Sequence, residues 1–195
     1  GTIQFLRGYH YQDMAKWPDY WTGLPPMYYA THAIAPISVM AGARIQSVRC
    51  EGSGRMNPDT QKYYGNPYPV ESAILEFENG LKGEVTRSLF ETAREYVEGF
   101  DVYGSKKTFQ WGFRDHDKPY VTTLLPPREG DRGGRCETEV VSLPDFSGSL
   151  PQSIRKFAVS GGDFDPLNPH KSWNKELGAG HHGAHPHLVH EFISS

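Results

Sequence analysis

The sequence predicts an α+β fold, in which a mostly antiparallel, open β-sheet carries helices on one face. The clearest observation is a β-hairpin: residues 70–78 and 81–90 alternate apolar and polar side chains on either side of Asn79-Gly80. A second observation is a series of strand-like runs that end in turns rich in Gly, Pro, Asp or Lys. Only two or three short helical stretches accompany these strands.

The strands are placed by composition and by the turns between them. Residues 2–7 form the first strand, because they are rich in apolar and β-branched side chains. Asn79-Gly80 predicts a type I′ turn in the hairpin, since that dipeptide readily adopts the two positive φ angles that such a turn requires. Further strands are predicted at residues 44–51, 96–103, 108–111, 120–125 and 137–143.

The first helix is predicted over residues 32–41. Apolar residues recur there at helical spacing, namely Ala33, Ile37 and Met40. Gly42 follows in the position that ends helices, and Pro36 falls near the first turn, where a missing N–H costs little. Thr31 or His32 is the candidate N-cap. Either choice places the His32 imidazole at a helix N-terminus, where it is either a simple capping residue or a group that faces a cleft.

Two shorter helices are predicted near the end of the chain. Residues 150–157 have Pro151 at the first helical position, and residues 187–193 place Leu188 and Phe192 on one face. Between them, residues 161–183 form a loop rich in Gly, Asn, Pro and His.

Charge and composition exclude several classes of protein. The 195 residues include 20 Lys plus Arg and 23 Asp plus Glu, for a net charge of −3, which argues against a partner such as nucleic acid or an anionic membrane. Apolar runs are too short to span a bilayer. Cys50 and Cys136 have no zinc-knuckle spacing, and we expect two reduced, partly buried thiols.

The chain is predicted to be a single domain, residues 1–195, cut from a longer polypeptide. Gly1 leads straight into a strand, and the last helix stops at Ser195 without a C-cap glycine. We expect a cytoplasmic protein, although any targeting signal would precede Gly1.

Five histidines lie close together near the C-terminus, and they admit two interpretations. They are His181, His182, His185, His187 and His190. Neutral imidazoles are good ligands for Zn, Cu or Ni, so the cluster is a candidate metal site. Gly180 and Gly183 flank the first pair, which favours instead a loop that presents histidines and backbone amides to a ligand.

Cofactor and nucleophile motifs are not found in the sequence. Gly52-Ser53-Gly54 follows a strand, but Asn57 occupies the position of the third glycine of a dinucleotide-binding motif. There is no Walker A sequence and no G-x-S-x-G elbow. The hairpin carboxylates are expected to form a solvated face, and they are Glu71, Glu76, Glu78 and Glu84.

Four segments carry a resemblance to a known family. They are PPMYYATHAIAP at 25–36, ESAILEFENG at 71–80, DVYGSK at 101–106 and GHHGAHPHLVHEF at 180–192. In this order and spacing they resemble the C-terminal domain of the Gfo/Idh/MocA family, which includes glucose-fructose oxidoreductase, inositol dehydrogenase and many sugar dehydrogenases.

The resemblance implies a two-domain enzyme, of which this chain is the substrate-binding and oligomerising half. An N-terminal Rossmann domain, absent here, would bind NAD or NADP, so no cofactor is expected on the chain alone. In the family, a lysine of that domain and a histidine of the first helix flank the substrate carbon that exchanges hydride. By motif position that histidine is His32, and the substrate would be a sugar or polyol.

Other site residues follow from the same resemblance and from the chemistry of sugars. Aromatic rings at Trp21, Tyr28 and Tyr29 would stack on the substrate, and Arg94, His181 and His182 would bind its hydroxyls. Many family members have an aspartate four residues before the histidine. Tyr28 stands there in this chain, so the usual carboxylate partner of His32 is missing from its usual place.

Two other functions stay open at this point. Gly180-His181-His182-Gly183 resembles the loop of relatives that keep NAD bound and cleave glycosides through transient oxidation, so a redox-assisted glycosidase or lyase is an alternative. The domain could instead act alone as a carbohydrate-binding or assembly module. The resemblance also implies a homo-oligomer formed through the sheet, since the sheets of the family often pair face to face.

Overall fold

The computed structural model describes residues 1–114, 117–142, 144–155, 158 and 184–195. They belong to two compact units, Gly1–Ser142 and Leu143–Ser195. The first unit has a mostly antiparallel open sheet with a helix packed on one face, so the predicted α+β fold is confirmed. Within the described residues, no helix is both long and apolar enough to cross a membrane.

The described strands of the first unit form one sheet in the order β2-β3-β4-β1-β5-β6-β7-β8. Neighbouring strands are antiparallel except β1 and β4, which are parallel. The strands are β1 (Ile3–Tyr11), β2 (Ile45–Ser53), β3 (Val70–Phe77), β4 (Lys82–Ser88), β5 (Val97–Gly104), β6 (Lys107–Gln110), β7 (Tyr120–Leu125) and β8 (Arg135–Val140). The α-helices are α1 (Thr31–Ala41) and α2 (Pro58–Gln61), and short 3-10 helices cover Asp19–Trp21 and Pro26–Tyr29.

Helix α1 covers the middle of the sheet. Its buried residues Ala33, Ile37 and Ala41 pack against core residues of strands β1, β3 and β4, among them Leu6, Leu75, Phe77 and Val85. The helix backbone approaches β1 very closely at Gly8, where an added Cβ atom would lie 1.9 Å from the carbonyl oxygen of Ala33. This close approach brings the first turn of α1 directly over β1.

Helix α1 confirms the predicted segment but not its predicted cap. The helix begins at Thr31, and its N-cap position is Ala30, which has no side chain to accept a hydrogen bond. His32 is therefore inside the first turn and does not cap the helix. Pro36 lies in the helix interior, and Gly42 ends the helix with a φ of 62°.

The β3–β4 hairpin is confirmed, but its turn differs from the predicted type I′. Asn79 has no positive φ; among the described residues other than glycine, only Lys16 and Glu91 do. Instead, the Gly80 N–H donates to the carbonyl of Phe77, and Gly80 alone is left-handed, with a φ of 83°. This is the three-residue hairpin loop, in which the glycine forms a bulge.

The second unit holds a 3-10 helix at Ser147–Ser149 and helix α3 (His185–Ser194). Helix α3 confirms the predicted C-terminal helix. The helix predicted over 150–157 is described only in part: residues 152–154 form a hydrogen-bonded turn, Arg155 is 3-10 helical with its N–H donating to the Pro151 carbonyl, and residues 156 and 157 lie outside the described residues. In the first unit, Cys50 and Cys136 form no disulfide, and both are exposed rather than partly buried.

We expect Gly8→Ala to destabilise the chain by about 1–3 kcal/mol, because its methyl group would force the α1 backbone away from β1. Urea unfolding followed by tryptophan fluorescence measures this loss. Gly148→Ala is the matched control, since an added Cβ there meets no atom within 4 Å. Equal stability of the two variants would show that the contact at Gly8 is not required.

Candidate active site

Three neighbouring strands place a row of polar side chains beneath the N-terminus of α1. His10 on β1 pairs with Arg87 across the parallel ladder and with Glu98 across the antiparallel ladder. Directly paired residues project to the same face of a sheet. That face carries α1, because Gly8, two residues before His10 on the same strand, contacts Ala33.

His32 comes from the first turn of α1 and meets this row at Glu98. The Oε1 atom of Glu98 lies 3.3 Å from Nε2 of His10, and its Oε2 atom lies 3.3 Å from Nδ1 of His32. The two imidazole rings are edge to face, with centroids 5.1 Å apart. The Tyr96 hydroxyl donates a hydrogen bond of 2.6 Å to Oε1 of Glu98. A carboxylate from β5 thus accompanies His32, although Tyr28 stands where the resemblance implies an aspartate.

The second ring nitrogen of His32 faces Tyr29. The Tyr29 hydroxyl lies 3.0 Å from Nε2 of His32, and the Tyr29 ring packs against Trp21 with centroids 5.3 Å apart. The turn that carries Tyr29 is fixed at its start, where the backbone N–H of Met27 donates to Oε2 of Glu71 at 2.8 Å. Glu71 is therefore a positioning residue and not part of a solvated face.

Arg87 ties the turn of Tyr29 to the sheet. Its fully buried guanidinium donates to the carbonyl oxygens of Tyr29 at 2.8 Å, His10 at 3.1 Å and Ser88 at 2.7 Å. The guanidinium also lies over the Tyr29 ring, 5.2 Å from its centroid. Burial lowers the pKa of Arg87 to about 10, which still leaves it charged at neutral pH.

The cluster is buried at its base and open at its top. His10 is 1% exposed, whereas the side chains of Glu98 and His32 are 18% and 26% exposed. A carboxylate 3.3 Å from Nδ1 favours a proton on that nitrogen, which makes Nε2 the proton-accepting nitrogen of the ring. The arrangement can therefore take a proton from a hydroxyl group that approaches His32 or Tyr29.

The predicted site residues are only partly brought together. His32, Tyr29 and Trp21 form one cluster, whereas the Tyr28 side chain is 76% exposed. Arg94 stacks on Tyr11 and on Phe113, at 5.3 and 4.0 Å from the ring centroids. Tyr11 neighbours His10 on β1 and so points to the other face, which places Arg94 on the face of the sheet opposite His32.

That opposite face carries its own cavity of about 350 Å³. Aromatic, cationic and acidic side chains line it, including Arg7, Tyr9, Tyr11, Arg94, Asp101 and Trp111. Burial raises the pKa of Asp101, although hydrogen bonds from Trp111 and Tyr103 act in the other direction. Arg94 belongs to this cavity.

The predicted histidine cluster lies partly outside the described residues, and His181 and His182 are both outside them. His187 and His190 line a groove with Ser149 in the second unit. Among the described residues, the set whose geometry suits a metal ion is a different one, formed by His10, His32 and Glu98.

Sequence reasoning missed His10, Arg87 and Glu98. The alternation of side chains along β1 was one available signal, since His10 lies on the same strand face as Leu6 and so points toward the core. Arg87 likewise lies two residues after the buried Val85, and therefore on the same face of β4. No local signal shows that β1 pairs with β5, which is what brings Glu98 to His10.

The fold is shared with solved sugar dehydrogenases. UDP-N-acetylglucosamine 3-dehydrogenase GnnA from Acidithiobacillus ferrooxidans matches 74% of this chain and 42% of its own length, with 13% identity and a TM-score of 0.51. Levoglucosan dehydrogenase, in complex with NADH and levoglucosan, matches 72% of this chain and 40% of its own, with 18% identity and a TM-score of 0.52. An NAD binding oxidoreductase from Klebsiella pneumoniae matches 70% and 39%, with 16% identity and a TM-score of 0.50.

The chain spans less than half the length of these structures. It matches no protein-family profile and no curated protein. The likeness confirms the fold that the resemblance to the C-terminal domain of Gfo/Idh/MocA proteins implied.

We expect Arg87→Lys to lower the free energy of unfolding by about 2 kcal/mol or more. A lysine ammonium cannot reproduce the guanidinium fork, so buried carbonyl oxygens lose their donors. Urea unfolding measures the change. Arg49→Lys, at an exposed pair with Glu51, is the control and should change stability by less than about 0.5 kcal/mol. A similar small change in Arg87→Lys would contradict the role given to Arg87.

Proposed function

We propose that this chain is the substrate-binding and catalytic half of an NAD(P)-dependent oxidoreductase that acts on a secondary alcohol of a sugar or polyol. The observation that carries the proposal is the position of His32 between the Glu98 carboxylate and the Tyr29 hydroxyl, at the open side of a buried cluster. The shared fold of sugar dehydrogenases supports it.

Oxidation of a secondary alcohol removes a hydroxyl proton and a hydride from the same C–OH group. Glu98 holds the proton of His32 on Nδ1, so Nε2 accepts the substrate proton. The Tyr29 hydroxyl is 3.0 Å from Nε2, so a substrate hydroxyl reaches His32 either by replacing this hydroxyl or by passing its proton through it. A nicotinamide cofactor, held mainly by a preceding Rossmann domain, would supply the hydride acceptor.

The surroundings of His32 suit a sugar. Trp21 and Tyr29 form an aromatic pair beside the imidazole, and sugar rings stack on such faces while their hydroxyls bind polar groups. Levoglucosan dehydrogenase has been solved with levoglucosan and with L-sorbose, which supports a substrate of this class. Tyr28, His181 and His182 complete the proposed sugar-binding set, and Arg94 is left out of it because it lies on the other face of the sheet.

We also propose that the sheet face opposite α1 pairs with a second copy of the chain. This face presents aromatic residues around its cavity, namely Tyr9, Tyr11, Trp111, Phe113 and Tyr120. Burial of such rings between two sheets would favour a dimer.

The proposal is tested on the natural polypeptide that contains this chain, purified without added cofactor. Denaturation should release NAD(H) or NADP(H), or added dinucleotide should bind. His32→Ala should lower turnover of the best substrate in a panel of sugars and glycosides by about 10² to 10⁴, as expected for loss of a general base. His190→Ala, an equivalent change at a partly exposed histidine of helix α3, should leave turnover unchanged.

The products separate the remaining functions. A keto sugar with stoichiometric NAD(P)H indicates a dehydrogenase, whereas a cleaved glycoside without net reduction indicates the redox-assisted glycosidase. Sugar binding without any dinucleotide would overturn the proposal and favour a carbohydrate-binding module.

The chain alone is expected to reduce no NAD(P)⁺ with any sugar of the panel, because it has neither the Rossmann domain nor the lysine that the family takes from it. Steady production of NAD(P)H by the isolated chain would contradict this expectation. The absorbance of NAD(P)H measures it directly.

A further inference from the structure

We infer that His10, His32 and Glu98 form a binding site for a divalent transition-metal ion, with Zn²⁺ as the best fit. Each residue offers one ligand atom, and these atoms all lie within 4.8 Å of one another. Two histidines and one glutamate, with the fourth position left open, are a common ligand set of zinc enzymes. The inference does not depend on the proposed redox reaction.

The distances from the Glu98 carboxylate to the two imidazoles match those between ligands of a tetrahedral ion. Ligand atoms about 2.0–2.1 Å from a tetrahedral zinc ion lie about 3.3 Å from each other. The Glu98 carboxylate oxygens lie 3.3 Å from Nε2 of His10 and 3.3 Å from Nδ1 of His32. Each oxygen faces one ring, so a small rotation of the Glu98 side chain lets one oxygen or both reach an ion between the imidazoles.

The residues around the cluster already orient two of its ligands. Ligating histidines usually use their second ring nitrogen for a hydrogen bond, and ligating carboxylates are themselves hydrogen-bonded. Here Nε2 of His32 faces the Tyr29 hydroxyl at 3.0 Å, and Tyr96 donates to Oε1 of Glu98 at 2.6 Å. His10 is fixed in the core at 1% exposure. Little rearrangement is therefore needed for the three groups to converge on an ion.

The open side of the cluster gives an ion access. The His32 and Glu98 side chains are 26% and 18% exposed, so an ion and a water molecule can reach them from solvent. The positive charge of Arg87 disfavours metal binding at this cluster, because it interacts with the Glu98 carboxylate. Its hydrogen bonds to three carbonyl oxygens hold it within the sheet and under Tyr29.

A bound metal and the proposed proton transfer exclude each other at His32. With a metal ion on Nδ1, the neutral imidazole carries its proton on Nε2 and has no lone pair for a substrate proton. Zinc is thus expected to inhibit an oxidoreductase that uses His32 as base. The binding itself is measurable without sugar or dinucleotide, so failure of the metal site and failure of the proposed function are distinguishable.

The test is a titration of the whole chain with Zn²⁺, after removal of metals with a chelator, by calorimetry. The histidine cluster near the C-terminus could also bind zinc, so the titration uses a background in which His181, His182, His185, His187 and His190 are all replaced by Ala. We expect one equivalent of tight binding in this background. Glu98→Gln should raise the dissociation constant at least tenfold, because the amide is a poor metal ligand. Glu84→Gln, a matched change at a carboxylate that pairs with Arg7, should not alter it.

A second variant and a spectroscopic probe guard against misfolding. His32→Ala removes a partly exposed ligand, and it should weaken zinc binding at least tenfold while the circular dichroism spectrum stays that of the parent. Co²⁺ in the same site should give the intense visible absorption of a four- or five-coordinate ion. The inference is overturned if the background variant binds no zinc, or if folded Glu98→Gln and His32→Ala bind it as tightly as the background does. Either result would mean that the cluster is only a hydrogen-bonded network.

Discussion

Helix α1 lies directly on strand β1 because Gly8 has no side chain, and the candidate active site depends on that contact. An added Cβ would overlap the carbonyl oxygen of Ala33, one residue after His32. The separation between helix and strand sets the height of the His32 imidazole above the sheet. At this height, Glu98 reaches both His32 and His10 with one carboxylate.

The second requirement is electrostatic, since a full positive charge is buried beside the site. The Arg87 guanidinium donates to three backbone carbonyl oxygens, those of Tyr29, His10 and Ser88. A buried cation in such a cradle costs desolvation, which is visible in its lowered pKa. In return it satisfies carbonyls that would otherwise be unpaired, and it fixes the turn that carries Tyr29.

The two faces of the sheet have different chemistry because side chains alternate along β1. His10 faces the helix, whereas Tyr9 and Tyr11 face a cavity shared with Arg94 and Asp101. Arg94 is predicted from the sequence to bind sugar hydroxyls, but strand alternation places it on the face of the sheet opposite His32. One strand thus serves both a proposed catalytic cluster and a proposed contact with a second copy.

The sequence by itself determined the features that depend on neighbouring residues. Alternation and Asn79-Gly80 located the β3–β4 hairpin, and helical spacing with Gly42 located α1 and hence His32. The aromatic residues that precede His32 in the sequence gave Tyr29 and Trp21 as candidates for stacking on a sugar. The turn type was wrong, because Gly80 alone takes the positive φ and the loop has three residues.

Only the tertiary structure decided which residues meet His32. Glu98 reaches it because β1 pairs with β5, and Arg87 joins the row because β1 also pairs with β4 in parallel. Strand order depends on how much apolar surface the whole sheet face buries. Residues that are distant in sequence contribute to that burial together, so the strand order leaves no local signal. For that reason the sequence identified a histidine, while the fold alone supplied its carboxylate and its buried neighbours.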